Sequence, residues 1–224
     1  MQPSTDSPAW QRAAEPYRRW PSLYHYGRSK MRIDPAYAAV GEALAESSLP
    51  LHDLGCGAGF LAAYLRECGL DFPILGSDLS ARKIGIAQAV LPRRYPEVRF
   101  RVLNAARPPA APRGNVVALD LLHYFSNEEQ AAALRAWSRL VAPGGRLLVR
   151  TTLREANWRY LATLIEEGWV RLSGWITGGP CNFPRRELLE RVLAECGMAV
   201  EIRPLWGRTP FNSYWIEALP RVSR

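Results

Sequence analysis

The chain has 224 residues, a formal net charge of +8 at pH 7 and 48% hydrophobic residues, a composition that is typical of a globular protein and argues against disorder. No run approaches the roughly 18 apolar residues of a transmembrane helix, and the polar, proline-rich start lacks the apolar core of a secretory signal, so we expect a cytoplasmic protein without a membrane span. The cysteines, which are Cys56, Cys68, Cys181 and Cys196, form no CxxC pair, and this spacing disfavours a structural zinc site or a disulfide framework.

Arginine supplies nearly all of the positive charge. Of the 29 basic residues, only Lys30 and Lys83 are lysines. Such a bias often follows from coding composition, so it does not by itself indicate a nucleic-acid surface. A basic surface still attracts anionic partners, and RNA, a phosphopantetheine carrier, a coenzyme A thioester and an acidic protein all remain open.

Hydrophobic spacing and turn residues predict strands that alternate with helices. Residues 1–33 form a polar, aromatic-rich arm, and the main domain covers residues 34–224, beginning with Asp34 as an N-cap before Pro35. The predicted helices cover residues 34–47, 60–68, 80–91, 127–141, 157–167 and 184–196, and Ser80 is the predicted N-cap of the third. The predicted strands cover residues 50–54, 72–76, 98–103, 116–119, 146–151, 199–204 and 213–219, and residues 171–181 form a loop rich in glycine and tryptophan. Repeated strand–helix alternation predicts βαβ units and a parallel sheet.

A glycine-rich loop follows the first predicted strand. Gly55, Gly57 and Gly59 have GxGxG spacing, whereas a dinucleotide-binding GxGxxG would need glycine where Phe60 stands. Asp53 ends the strand just before the loop, and its charge would repel a pyrophosphate but attract an ammonium group. The loop therefore favours a nucleoside that carries a zwitterionic amino acid over a dinucleotide.

Polar residues also end the next three predicted strands. They are Asp78, Asn104 and Asp120. Because the carboxyl ends of parallel strands meet at one edge of a sheet, where ligands bind, we expect these residues and Asp53 to converge there. Asp78 can accept hydrogen bonds from both hydroxyls of a ribose, and Asn104 can face an adenine edge. Any one of them taken alone can instead be a simple helix or turn cap.

These motifs resemble those of the class I S-adenosylmethionine-dependent methyltransferases over residues 34–220. Residues 53–59 look like motif I of that family, residues 76–80 like its acidic ribose loop, residues 116–124 like motif IV and residues 140–145 like the loop before strand five. The resemblance implies an α/β fold with a Rossmann-like, seven-stranded, mostly parallel sheet that is flanked by helices and has its last strand antiparallel.

The resemblance also implies S-adenosyl-L-methionine as cofactor. The residues that it implies for cofactor binding are Asp53, Gly55, Cys56, Gly57, Gly59, Asp78, Leu79, Asn104, Ala105 and Asp120. The family more often has aspartate at position 104, but asparagine keeps a carbonyl acceptor for the adenine amino group. Arg28 or Lys30, in the arm, could pair with the cofactor carboxylate, with the arm acting as a lid. The alternative for the arm is a packed amphipathic segment.

Methyl transfer from a sulfonium is an in-line displacement that needs alignment of the nucleophile and, where the nucleophile is protonated, removal of its proton. His123, which follows the fourth strand, is the candidate general base or substrate orienter, and Tyr124 could assist it by hydrogen bonding. The alternative for His123 is a loop histidine bonded to backbone. His52 is interpreted as a packed ring inside the first strand. Residues 169–175 and 209–212 are expected to shape the acceptor pocket.

The motifs constrain the acceptor less than the cofactor. The [Asp/Asn]-Pro-Pro-[Tyr/Phe] motif of enzymes that methylate the amino groups of bases is absent, since residues 120–123 read Asp-Leu-Leu-His. Pro180-Cys181 resembles the nucleophile dipeptide of cytosine-C5 enzymes but lies after the fifth strand, not the fourth. No cluster of carboxylates suggests a catalytic metal.

A narrower resemblance concerns residues 24–30, 120–124 and 207–212. They look like methyltransferases encoded beside bacterial aryl-polyene and related fatty-acid-type synthesis genes. The acceptor would then be a small molecule, an aryl or polyene group or a carrier-bound acyl group, with an acyl carrier protein as a possible partner. An RNA methyltransferase and a non-catalytic S-adenosylmethionine-binding protein are the alternatives.

Overall fold

A computed structural model describes residues 7–108, 112–155, 157–172, 181–207 and 209–221, with side chains as far as residue 165 in the helix that begins at Trp158. In these ranges the helices are α1 (Ala9–Ala14), α2 (Pro21–Ile33), α3 (Pro35–Ala43), α4 (Phe60–Glu67), α5 (Ala81–Val90), α6 (Asn127–Leu140), α7 (Trp158–Leu172) and α8 (Arg186–Glu195). The strands are β1 (Leu51–Leu54), β2 (Ile74–Asp78), β3 (Val98–Val102), β4 (Asn115–Leu119), β5 (Leu147–Thr152), β6 (Met198–Pro204) and β7 (Ser213–Pro220). Short 3-10 turns cover Glu15–Tyr17 and Leu122–Tyr124.

The strands form a seven-stranded sheet in the order β3-β2-β1-β4-β5-β7-β6. β2 pairs in parallel with β1 and with β3, and β4 pairs in parallel with β5. β7 runs antiparallel to both β5 and β6. The predicted fold class is therefore confirmed, including the antiparallel last strand. Val116, Val117 and Ala118 of β4 are all fully buried, as expected for a central strand that is covered on both faces.

The chain divides into two compact units, Met1–Ala105 and Ala106–Arg224. In the first unit, the predicted N-caps are confirmed: the Asp34 side chain accepts from the Ala36 N–H at the start of α3, and the Ser80 side chain accepts from the Lys83 N–H at the start of α5. α3 ends at Ala43, before the predicted residue 47. The Ser47 hydroxyl accepts a hydrogen bond from the Leu49 N–H, a local bond that favours a turn over a continued helix.

The polar arm is helical in the structure. Residues 9–33 form α1, the first 3-10 turn and α2, and Ala13, Ala14 and Tyr17 are buried. The Arg12 guanidinium donates to the Glu67 carboxylate at the end of α4 over 2.7 Å. This packing agrees with the amphipathic alternative for the arm, while the domain boundary at residue 34 remains a prediction.

In the second unit, α6 begins with a capping box. Ser126 and Glu129 exchange hydrogen bonds between side chain and backbone, which satisfies two otherwise unpaired N–H groups. α7 extends to Leu172, so residues 171 and 172 are helical and not part of the predicted loop. The rest of that loop, residues 173–180, lies outside the described residues. None of the described helices combines the length and the apolar character needed to cross a membrane.

Candidate cofactor and active site

The glycine loop follows β1 directly and depends on left-handed backbone. Gly55, Gly57 and Gly59 have φ angles of 76°, 57° and 84°, values that residues with a Cβ adopt only at a cost. A Cβ at Gly59 would also lie 2.8 Å from both the Leu91 and the Phe100 side chains. The GxGxG spacing is therefore required by the backbone and by the packing beneath it.

Asp78 ties this loop to the end of β2. The Gly57 N–H donates to Asp78 Oδ2 over 2.9 Å, and the Ser80 N–H donates to Asp78 Oδ1 over 2.8 Å. The N–H groups of Gly55 and Cys56 both donate to the Ser77 carbonyl, over 2.7 and 2.9 Å. Each Asp78 oxygen has a second lone pair, so the carboxylate can still accept bonds from two neighbouring hydroxyls.

Asp53 is a buried carboxyl group with an unsatisfied oxygen. The residue is 3% exposed, and among the described residues Oδ2 has no hydrogen-bond partner. Burial, and then the negative charge of Asp78, raise the pKa of Asp53 to about 7. An unpaired buried carboxylate is costly, so this position is suited to a cationic group of a ligand.

Cys56 and Gly76 form the packed wall next to these carboxylates. Burial, and then the charges of Asp53 and Asp78, raise the pKa of the Cys56 thiol, so the thiol stays protonated and does not act as a nucleophile. A Cβ at Gly76 would lie 2.5 Å from the Phe100 ring and 2.9 Å from the Cys56 sulfur. Cys56 is thus a close-packed lining residue.

Two apolar side chains are exposed where β2 and β3 end. Leu79 follows Asp78 in sequence, and Val102 is the register partner of Asp78 on β3. Asn104 lies just beyond and is also exposed, whereas Ala105 is buried. Exposed apolar side chains beside an amide are a suitable surface for a flat heteroaromatic ring.

Tyr17, in the arm, reaches the glycine loop. Its buried hydroxyl donates to the Ala58 carbonyl over 2.8 Å, and its ring contacts Phe60 with 4.7 Å between centroids. A Cβ at Gly27 of α2 would lie 2.4 Å from the Phe60 ring. The arm therefore packs directly against the loop and the first residue of α4. Sequence reasoning did not single out Tyr17.

In the second unit, Asp120 ends β4 in a strained conformation. It is the non-glycine residue with positive φ, 55°, among the described residues, and such outliers cluster at functional sites. Its N–H donates to the Arg150 carbonyl over 2.9 Å, and its carboxylate accepts from the Arg150 guanidinium. Arg150 Nη2 also donates to Ser213 Oγ over 2.9 Å. Asp120 is thus held at both its backbone and its side chain.

His123 lies in the 3-10 turn that follows. Its ring is buried and contacts the rings of Tyr124 and Phe183, with 4.2 and 5.6 Å between centroids. The Asn182 N–H donates to the His123 carbonyl over 2.8 Å. Tyr124 is exposed. The turn therefore presents a buried imidazole next to an accessible phenol.

Gln130, on α6, holds this turn in place. Its fully buried side-chain amide donates to the carbonyls of Leu122, Phe125 and Asn182 over 3.2, 3.2 and 2.6 Å. Sequence reasoning missed both Gln130 and Asn182. A glutamine on the apolar face of a predicted helix was a usable signal for the first of them, but the partner at residue 182 is distant in sequence.

Comparison of the sequence with known proteins finds methyltransferases. Residues 52–145 match a family model described as a methyltransferase domain. The ubiquinone biosynthesis O-methyltransferase of Sinorhizobium fredii is 28% identical over 170 residues, which are 75% of this chain and 66% of that protein. The ribosomal protein L11 methyltransferase of Burkholderia vietnamiensis is 32% identical over 134 residues, which are 54% of this chain and 41% of that protein.

Solved structures share the fold. The magnesium protoporphyrin IX methyltransferase from Synechocystis PCC 6803 with bound SAH matches with a TM-score of 0.65 and 20% identity, covering 92% of this chain and 94% of that chain.

Residues 52–145 thus match a methyltransferase domain, and the chain is similar to methyltransferases in sequence and in fold.

The solved methyltransferase from Synechocystis PCC 6803 has been crystallised with SAM and with SAH, and the residues at the glycine loop of this chain suit such a cofactor. The unsatisfied oxygen of Asp53 suits a cationic amino-acid group. The chain spans about two thirds of the length of the ubiquinone relatives, 66% and 64% in two of them.

The structure brings only some of the predicted site residues into contact. Hydrogen bonds join Gly57 to Asp78, and charge couples Asp53 to Asp78. Arg28 lies over the Trp10 ring, with 5.4 Å from its guanidinium carbon to the centroid, and Lys30 pairs with Asp34 at 3.5 Å. Their role at a cofactor carboxylate remains a prediction.

The remaining expectations from the sequence concern His52, a metal site and the acceptor pocket. His52 is buried within β1, as interpreted from the sequence. Within the described ranges, no group of three or more histidine, cysteine or acidic side chains is arranged to hold a metal ion. The side chains of residues 169–175, which were expected to shape the acceptor pocket, lie outside the described part of the chain.

Proposed function

We propose that this methyltransferase methylates a hydroxyl group of a small aromatic molecule. The observation that carries this proposal is the buried His123 ring, packed against Tyr124 and Phe183. Tyr160 extends the cluster, with 5.8 Å between its ring and that of Phe183. An aromatic surround favours a planar acceptor, and an imidazole is the usual group for removing a hydroxyl proton near neutral pH.

The first unit holds the cofactor in this proposal. Bound S-adenosylmethionine supplies an electrophilic methyl group on a sulfonium. Asp53 binds the cationic amino-acid end, and Asp78 accepts hydrogen bonds from the ribose hydroxyls. Leu79 and Val102 pack against the adenine, and Asn104 accepts a hydrogen bond from its amino group.

The second unit binds and activates the acceptor. His123 accepts the proton of the acceptor hydroxyl, and Tyr124 orients the ring by hydrogen bonding. Asp120 and Gln130 hold the turn that carries His123, from its two ends. Asp120, which the resemblance placed at the cofactor, is engaged by Arg150, so we propose a positioning role for it.

The relatives support an O-methyl acceptor. Four of them are named ubiquinone biosynthesis O-methyltransferases, and a small aryl hydroxyl agrees with the aryl class that the sequence implies. A carrier-bound acyl or polyene group is the second candidate, because a net charge of +8 favours an acidic carrier protein.

Incubation with isotopically labelled S-adenosylmethionine tests the proposal. The panel contains dihydroxybenzoates and other phenols, aryl-polyene acids in free and carrier-bound form, and bulk RNA, and mass spectrometry identifies the methylated species. We expect label on a phenolic oxygen, and much less label with Asp78→Ala when the cofactor concentration lies below the weakened affinity of this variant. Label on a carrier-bound acyl group or on RNA would move the acceptor to that class. Cofactor binding without any transfer would indicate a non-catalytic binder.

A further inference from the structure

An apolar stripe lies on the surface of α7. Trp158, Leu161, Leu164 and Ile165 are 65%, 60%, 43% and 58% exposed. Positions i, i+3 and i+7 of a helix share one side, so these residues form a continuous outward face.

The opposite side of α7 is anchored, so the helix cannot rotate to bury the stripe. Thr163 is buried and its hydroxyl accepts from the Asn212 N–H over 2.9 Å. Arg159 donates to the Thr209 carbonyl over 2.6 Å and lies over the Trp206 ring, 4.5 Å from its centroid. Among the described residues, these contacts therefore hold the stripe outward.

Positive charge lies beside the N-terminal end of the stripe. Arg154 and Arg185 are both exposed, and the Arg154 N–H donates to the carbonyl of Pro184 over 2.9 Å, which places the two arginines in neighbouring segments. The nearby Glu155 carboxylate accepts from Arg186 over 2.9 Å and from the Tyr214 hydroxyl. The Glu155 carboxylate is thus paired with Arg186, while Arg154 and Arg185 face solvent, with the exposed Glu187 two residues beyond Arg185.

The size of the stripe favours a lipid surface over a second copy of the chain. Four side chains that are about half exposed offer roughly 400 Å² of apolar area, and a stable protein interface needs about 800 Å² per partner. A shallow interfacial helix needs only an apolar face, a tryptophan and flanking basic residues.

We propose that the outward face of α7, with Arg154 and Arg185, docks this protein on an anionic lipid bilayer. The inner side of the same helix carries Tyr160, whose ring contacts Phe183, which in turn contacts His123. A docked helix would therefore be linked to the proposed base through two ring contacts, Tyr160 with Phe183 and Phe183 with His123. A lipophilic aromatic acceptor, delivered from the bilayer, follows from this placement, and that last step rests on the proposed function.

Co-sedimentation of the full chain with vesicles tests the docking. We compare vesicles of phosphatidylcholine alone with vesicles that also contain phosphatidylglycerol, using wild type, the double variant Leu161→Glu/Ile165→Glu and the control Ile33→Glu, whose residue is 56% exposed on α2. We expect binding to the anionic vesicles only, weakened by salt and reduced about tenfold or more in the double variant, with the control unchanged.

A second measurement uses the wild-type fold. The fluorescence difference between wild type and Trp158→Phe should be quenched by brominated anionic lipids. No sedimentation of wild type with anionic vesicles, or no quenching, would overturn the docking proposal. A dimer in ultracentrifugation that the double variant abolishes would assign the face to a second copy and would also overturn it. Calorimetric cofactor binding and label transfer in detergent report separately on the proposed function.

Discussion

The backbone N–H of Gly57 donates a 2.9 Å hydrogen bond to the carboxylate of Asp78. Through it, the left-handed glycine loop after β1 and the acidic loop after β2 hold each other in place. A carboxylate that is fixed by backbone donors needs no reorganisation when a ligand arrives, which is the property that a preformed cofactor site requires.

The first prediction concerns the pH dependence of cofactor binding. Since burial raises the pKa of Asp53 to about 7, this group is largely protonated below that pH and cannot pair with the cationic end of the cofactor. The affinity for S-adenosylmethionine should therefore rise from about pH 6 to about pH 8, with proton release on binding at the lower pH. Calorimetry in buffers of different ionisation enthalpy measures both. A flat affinity across this range would contradict the role of Asp53.

The same group predicts the pH dependence of stability without cofactor. Its folded pKa of about 7 lies above the ordinary value of 3.8, so its contribution to stability is fully present below about pH 3.8 and is lost as the pH rises through 7. Asp53→Asn should thus raise the free energy of unfolding at pH 8 by about 1–4 kcal/mol, as measured by urea denaturation. The exposed Asp71→Asn, the control, should not change it.

Tyr17→Phe tests the contact between the arm and the glycine loop. The variant leaves the buried Ala58 carbonyl without the hydroxyl that donates to it, and we expect a loss of about 1–3 kcal/mol in the free energy of unfolding, together with weaker cofactor binding. Tyr26→Phe, at an exposed residue of α2, is the matched control. Equal stability of both variants would show that the arm contact is not needed.

Glycine substitutions separate backbone strain from simple loss of flexibility. Gly59→Ala meets Leu91 and Phe100 at 2.8 Å in a left-handed backbone and should lower the free energy of unfolding by about 2–5 kcal/mol. Gly85→Ala, inside α5 with nothing near its Cβ, should instead stabilise by about 0.5–1 kcal/mol. Thermal denaturation distinguishes the two variants, and similar melting temperatures would contradict the close packing of Leu91 and Phe100 around Gly59.

His123→Ala tests the proposed base. Turnover of the acceptor should fall by roughly 10²–10⁴, while the affinity for S-adenosylhomocysteine stays unchanged. His25→Ala, at an exposed position of α2, should keep wild-type turnover. Near-normal turnover of His123→Ala would remove this residue from the mechanism.

Local signals in the sequence were sufficient for the sheet and for the conformation of the glycine loop. Glycine spacing, an acidic residue at a strand end and the N-caps Asp34 and Ser80 act within a few residues, and the structure has them as expected. The contacts that fix the second unit join residues far apart in sequence, such as Gln130 with Asn182. No local pattern encodes such contacts, because they depend on how the helices pack.

The most direct test of the account is calorimetric titration of S-adenosylhomocysteine into wild type, Asp78→Ala and the control Asp71→Ala. Asp78 should contribute about 1–3 kcal/mol of binding free energy, so Asp78→Ala should bind about 10–100-fold more weakly, with Asp71→Ala equal to wild type. Equal affinity of Asp78→Ala and wild type, or no binding by wild type at millimolar concentration, would contradict the assignment of the cofactor site.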